Sequence, residues 1–479
     1  MSTESICKIL NNSFTEFDKI SLPDDIIKNT QHFPIQNPFF GLLHIDIGDN
    51  VACSNQEQHF VFGIDHSGSM SYKCNDGLTK MEHVIHTLKK IVQYFSECSS
   101  VPIFISIFSF DNFITEVVRM VKLDDSTKEH VISQINEIEP SGLTNIELAL
   151  QYTNSFIKTE LTSFPERNIT NIFMTDGDVT DGSNDVEILY SNCCSSISNI
   201  FIGFGLDHNA YMLNTLGSYA KNSYYFIDKI EKCGLVYGEV ISSVLCCVAK
   251  NTSVKINNGF IYDWKHNRWI TELTIGDIVS NKTYHLISDT PYDVNCIFSA
   301  YNDENEKLQG QVGNLITQNS SITKYKYRQC TQELLYKINN QHLNFNFENI
   351  NKSGENKVDT NINEDMKDLF ERMKSYMKSL PDENTNDKKF MKLLCDDIYV
   401  CIQTQGTPYA KMYACSRHYS QGSQRVYSSG ERHIQRKKHG PQTCSLNSND
   451  SDFYQVSDCS DTPYSAKSVQ KIMDFIDKD

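Results

Sequence analysis

No run of apolar residues in this 479-residue chain is long enough to cross a bilayer; the strongest, Val101 to Phe110, is far too short. The amino terminus, Met-Ser-Thr-Glu-Ser-Ile-Cys-Lys, lacks the basic stretch and following apolar segment of a secretion signal, so an intracellular, cytoplasmic protein without an anchor is expected. Positive charge is also scarce. With 44 Lys and Arg against 60 Asp and Glu, the formal net charge of −16 disfavours attraction to nucleic acid or an anionic membrane. Catalytic signatures are missing as well: there is no Gly-x-Ser-x-Gly elbow, no Gly-x-x-x-x-Gly-Lys phosphate loop and no His-Glu-x-x-His, and the chain is not expected to be an enzyme. The 16 cysteines form no Cys-x-x-Cys knuckles. They include adjacent pairs, Cys193-Cys194 and Cys246-Cys247, in segments with helical patterning, and are read as reduced thiols.

What the chain does have begins at residue 59. The apolar run His59-Phe-Val-Phe-Gly-Ile64 leads directly into Asp65-His-Ser67-Gly68-Ser69-Met70. A strand ending in Asp-x-Ser-x-Ser places one carboxylate and two hydroxyls on a tight loop, which are oxygen donors suited to a small hard cation. Two further segments add to it. Ser141-Gly-Leu-Thr144-Asn-Ile-Glu-Leu-Ala-Leu150 offers a hydroxyl on a Gly-containing loop that opens an apolar helix, and Asn171-Ile-Phe-Met-Thr-Asp176-Gly-Asp178 ends a second apolar strand in a carboxylate. Together the three segments resemble a von Willebrand factor A domain with its metal-ion-dependent adhesion site. The resemblance implies Asp65, Ser67, Ser69, Thr144 and Asp176 as ligands of Mg²⁺ or Mn²⁺, with the carboxylates acting directly or through water.

Mg²⁺ takes about six oxygens and gives up its waters reluctantly, so three neutral hydroxyls and two carboxylates leave it under-charged and under-coordinated. An anionic oxygen from outside can fill the open position. A docking site for a protein partner that offers a carboxylate is therefore expected, with Gly68, Leu143, Asn145, Gly177 and Asp178 as its rim. Asp178 and Asp181 are read as a cap of the helix beginning at Asp185 or as solvent-facing. The alternatives are a metal-dependent hydrolase or an A domain attached to a processing activity, and a structural protein whose metal site is vestigial.

Apolar periodicity predicts alternating strands and helices over 55–250, including an amphipathic helix at Thr79–Glu97, hence an α/β, doubly wound, mostly parallel sheet with helices on both faces. Short period-two runs follow over 251–318 and predict a small β-sandwich-like module, to which the stretch from Gly41 within residues 1–50 adds a strand. Residues 319–403 read as helical, interrupted by an Asn-rich linker at 344–363, and 404–479 as a polar, flexible tail. This order is similar to that of inter-α-trypsin heavy-chain and intein-associated A-domain proteins. Some A-domain proteins carry a zinc-bound RING module, which the missing knuckles exclude here. Cys415, His418, His433, His439 and Cys444 fit no zinc template and read as incidental thiols and imidazoles of a surface loop. Arg425, Arg432, Arg436, Lys437 and Lys438 form a local basic patch, with Tyr419, Tyr427, His433 and His439 nearby, read as a solvated loop that the acidic stretch Ser448 to Asp461 could pair in cis.

Overall fold

The computed structural model describes residues 9, 12–21, 34–35, 38–46 and 56–424, apart from 75, 99–100, 206–207, 220, 228–232, 246–248, 280, 302–306, 316–321, 341–359 and 406–407. Cys246-Cys247, most of the expected linker, His433, His439, Cys444, the basic residues Arg425 to Lys438 and the acidic stretch 448–461 lie outside the described residues.

Two strands, β1 (Phe14–Ser21) and β2 (Phe39–Ile45), precede an alternating α/β region. That region runs β3 (Gln58–Asp65), α1 (Lys80–Cys98), β4 (Ile103–Phe110), β5 (Ile114–Lys122), α2 (Lys128–Ile135), α3 (Ile146–Ser163) and β6 (Asn168–Thr175). It continues through α4 (Val186–Ser191), β7 (Ser198–Phe204), α5 (Ala210–Ser218), β8 (Asn222–Ile227) and α6 (Cys233–Leu245). Its sheet has the order β5-β4-β3-β6-β7-β8, parallel except for the hairpin partner β5. Every residue of β3 is buried, as expected for a central strand covered on both faces. One face carries α1, whose Met81, Val84, Leu88, Ile91, Val92 and Phe95 form its buried stripe, with Phe95 stacked on Phe60 of β3 at 4.6 Å between ring centroids. The other face carries α3 to α5, with Phe110 and Phe173 stacked at 4.8 Å over Ile146, Ala149 and Leu150. Each such side chain contributes roughly 1.5–3 kcal/mol through burial.

The second region contains β9 (Ala249–Asn257), β10 (Phe260–Asp263), β11 (Arg268–Ile270), β12 (Glu272–Ile278), β13 (Lys282–Ser288), β14 (Asn295–Tyr301) and β15 (Lys307–Leu315). Together with β1 and β2 these make one nine-stranded sheet of order β11-β10-β13-β2-β1-β15-β14-β9-β12. The sheet folds back so that β10 lies against β9 and β12, enclosing Phe17, Leu43, Val254, Ile261, Leu286 and Phe298. The α/β region is thus inserted between the second and third strands of this module. Both β1 and β2 are interior strands, so the amino-terminal contribution is larger than one strand from Gly41. The apolar run around Trp269 is divided between β11 and β12 at Thr271, whose carbonyl accepts from Ile256 N at 2.7 Å.

Among the described residues four helices follow: α7 (Thr323–Asn340), α8 (Thr360–Ser379), α9 (Thr385–Thr404) and α10 (Pro408–Ser423). The structure corrects the reading of 404–479 as a polar, flexible tail where it describes that stretch, up to residue 424, because α10 is an interior helix. Its Tyr419 donates to Gly217 O of α5 at 3.2 Å and packs edge-on against Tyr224 of β8, while its other side faces α7 and α9. Its polar residues are buried in pairs: Asp397 of α9 accepts from Arg417, Gln421 and Tyr413, and Arg328 of α7 donates to Gln421 O. Cys415 and His418 are buried here too, Cys415 against Ala210 O, so they are interior groups of the helix and no surface loop.

Glu333 of α7 lies in the same seam, buried, with Oε1 accepting from Gln329 Nε2 at 2.7 Å. Burial pushes its carboxyl up to about 7 from an ordinary 4.5. The folded chain then holds more protons than the unfolded one between those values, and stability falls as pH rises through that window. Relative to Glu333→Gln, the wild type should lose on the order of 3 kcal/mol between pH 4.5 and 7. Urea unfolding of both proteins at pH 5 and pH 7.5 checks this, and a pH-independent difference would contradict it.

Candidate metal centre

Strand order in the α/β sheet reverses between β3 and β6, since β4 and β5 lie to one side and β7 and β8 to the other. A crevice opens at the carboxyl ends of the strands at such a reversal, and ligands bind there. Asp65 is the last residue of β3, and Asp176 immediately follows β6. Both carboxylates have no solvent exposure. Burial raises Asp65 to about 6, opposed by the groups that bond to it: Thr175 Oγ1 donates to its Oδ2 at 2.6 Å and Ser67 N to its Oδ1 at 2.8 Å.

The hydroxyls gather over the same point. Residues Gly68–Ser71 form a 3₁₀ turn that brings Ser67 Oγ within 3.1 Å of Ser69 Oγ, and Ser69 Oγ donates to Asp176 Oδ1 at 2.6 Å. Thr144 arrives from the loop before α3. That loop is held to the turn by Gly68 N on Gly142 O at 3.2 Å, and to the loop after β6 by Thr144 N on Thr180 Oγ1 at 2.8 Å. A Cβ built on Gly177 would lie 3.7 Å from both Ser69 Oγ and Thr144 Oγ1, so two hydroxyls from separate loops converge above this glycine. All five expected ligands are therefore brought together, and two carboxylates with three hydroxyls suit a hard divalent ion. Among the described residues no three His, Cys, Asp or Glu side chains form a metal-binding group.

Of the expected rim, Leu143 is half exposed, Gly68 and Gly177 flank the hydroxyls, and Asp178 is exposed. Asn145 caps α3 through Leu148 N and donates to Asp181 Oδ2 at 3.0 Å. Asp185, rather than Asp178 or Asp181, caps α4. Three residues were not picked out from the sequence. Tyr72 and Phe113, 63% and 70% exposed, stand with Leu143 on the loops around the site. Lys80, at the first turn of α1, donates from Nζ to Asp176 Oδ2 at 2.5 Å. Exposed aromatics on turns have no periodic signal, and nothing local to Lys80 marks its target.

A family model for the von Willebrand factor type A domain matches residues 60–234. Residues 60–234 are a von Willebrand factor type A domain. The whole described arrangement is similar to a von Willebrand factor type A structure from Catenulispora acidiphila, at 10% identity and TM-score 0.51, covering 88% of this chain and 98% of that one. That likeness extends the shared fold beyond the A domain to the β-module and helices. The ArnB paralog VWA2 from Sulfolobus acidocaldarius covers 86% of this chain and 99% of its own at 13% identity and TM-score 0.47. A proximal thread matrix protein from mussel byssus, described with a zinc-occupied adhesion motif, covers 43% of this chain and 50% of its own at 18% identity and TM-score 0.34. No curated protein matches the chain.

The loop carrying Thr144 in the A domain depends on Gly142. Its φ is +71°, and a Cβ there would meet Asp111 Oδ2 at 2.3 Å and Asn112 Oδ1 at 2.6 Å. Gly142→Ala should destabilise the protein by about 1–3 kcal/mol, whereas Gly68→Ala, whose Cβ would meet only Gly142 O at 3.5 Å, should cost under about 1 kcal/mol. Denaturant titration of the two variants checks the contrast, and equal losses would contradict the role of Gly142.

Proposed function

We propose that the A domain is a metal-dependent docking module: Asp65, Ser67, Ser69, Thr144 and Asp176 hold Mg²⁺ or Mn²⁺, and a protein partner supplies a carboxylate. The observation that carries this reading is the convergence of three hydroxyls from two loops on two buried carboxylates at the sheet's reversal point. When bound, the ion supplies a positive centre for an anionic oxygen. The chain's own residues orient that encounter. Tyr72, Phe113 and Leu143 offer apolar area around the site, so a partner carboxylate flanked by apolar side chains fits the rim better than an isolated one.

The reading is one of binding without turnover. His66, adjacent to the seryl loop, faces Asp111 Oδ2 at 3.5 Å, and among the described residues no hydrogen bond joins its ring to the Ser67 or Ser69 hydroxyl. Among the described residues no helix is long and apolar enough to cross a membrane. Adjacent Cys193 and Cys194, both buried and unbridged, support placing the chain in a reducing, intracellular compartment. A site whose ion has been given up is the second reading, favoured by the Lys80 ammonium on Asp176.

Calorimetric titration of the full chain with Mn²⁺ should show one saturable site, lost in Asp65→Ala and weakened at least tenfold in Thr144→Ala. A protein partner, once recovered, should be released by EDTA and restored by Mg²⁺. Absence of saturable Mn²⁺ binding, or undiminished binding in Asp65→Ala, would refute the metal-centred reading. Partner binding that persists in EDTA and disappears on deleting residues 425–439 would move the functional surface to the basic segment.

A further inference from the structure

The contact between Lys80 and Asp176 deepens this reading and rests on it. Asp176 is fully buried, one oxygen accepts from Ser69 and the other from Lys80, and the lysine side chain is largely buried at the same point. A buried carboxylate has to be balanced by a positive charge or lose its own. Two candidates for that balance meet at Asp176, the Lys80 ammonium and a divalent ion, and placing both there puts like charges side by side in a poorly solvated crevice.

We propose that Lys80 is a built-in counter-ion that competes with the divalent cation for Asp176 and thereby sets the cation concentration at which the docking site becomes competent. Without the ion the ammonium neutralises Asp176 and keeps the crevice folded. Ion binding displaces or weakens that pair, and the cost appears as reduced affinity. The lysine is built to move: its stem is a flexible four-carbon chain, and Gly205, whose built Cβ would lie 3.8 Å from Nζ, leaves space beside it. It also has a place to go. Nζ lies 5.9 Å from the centre of the Tyr72 ring, which is exposed at the rim, so a displaced ammonium stays on the docking face where a partner's carboxylate arrives. Lys80 is thus a positioning residue that acts through Asp176.

The test is Mn²⁺ calorimetry and thermal unfolding of the full chain as wild type, Lys80→Met and Lys80→Gln, the last retaining a hydrogen-bond donor without charge. Both variants should bind Mn²⁺ at least tenfold more tightly than wild type. They should also melt lower than wild type in EDTA and recover more on adding Mn²⁺, a shift that a merely structural lysine would not produce. If Lys80→Met folds only with Mn²⁺ present and unfolds on adding EDTA, that supports the proposal, and Lys80→Gln supplies the affinity. Equal or weaker Mn²⁺ binding in Lys80→Gln overturns it while leaving the docking reading intact. Saturable binding in neither wild type nor variants overturns both.

Discussion

Two carboxylates, Asp65 and Asp176, are held without solvent exposure at the one place where the strand order of the sheet reverses. Burying one ion without compensation costs several kcal/mol, and two of like sign cost more. Most of the local structure is a response to that constraint. Thr175 and the Ser67 amide take up Asp65, Ser69 and Lys80 take up Asp176, and the seryl turn is tied to the neighbouring loop through Gly142, which no larger residue could replace without displacing Asp111 or Asn112. The hydroxyls are neutral and reduce the charge problem without removing it, and the divalent cation of the proposed function would supply the positive charge they lack.

The rest of the chain holds this crevice in a larger frame. Insertion of the A domain between β2 and β9 fixes both of its ends in one nine-stranded sheet. Helix α10 then clamps the opposite side, touching α5 and β8 with one face and α7 and α9 with the other. The clamp is polar inside: Asp397 and Arg417 are paired and almost fully buried, and such a pair contributes less to net stability than to defining a single arrangement of its helices. Breaking it by removing one partner leaves the other charge buried alone.

Legibility from sequence follows from how local each cause is. The seryl loop and the end of β6 were readable because each follows an apolar run, the Thr144 loop because it opens an apolar helix, and the resemblance to an A domain joined the three. The α1 stripe was readable from its apolar period. Lys80 was not, because its partner lies 96 residues away and its own position is an ordinary first helical turn. Strand β15 is polar and Gly-rich, and it is a strand because β1 and β14 offer ladder partners on both sides. Helix α10 has no apolar stripe, since its polar residues are buried by pairing with α7 and α9, and period-based reading mistakes such a helix for surface. Helix α8 likewise begins at Thr360, inside the stretch expected to be linker, because Ile362 and Met366 find a core that the local composition does not announce.

Crystals grown with Mn²⁺ test most directly whether these five oxygen-bearing side chains hold one divalent ion. An anomalous difference map at the manganese edge should show a single strong peak among Ser67 Oγ, Ser69 Oγ, Thr144 Oγ1 and the carboxylates of Asp65 and Asp176, with the Lys80 ammonium moved away from Asp176. A map without a peak there, with Lys80 still seated on Asp176 at saturating Mn²⁺, would contradict it.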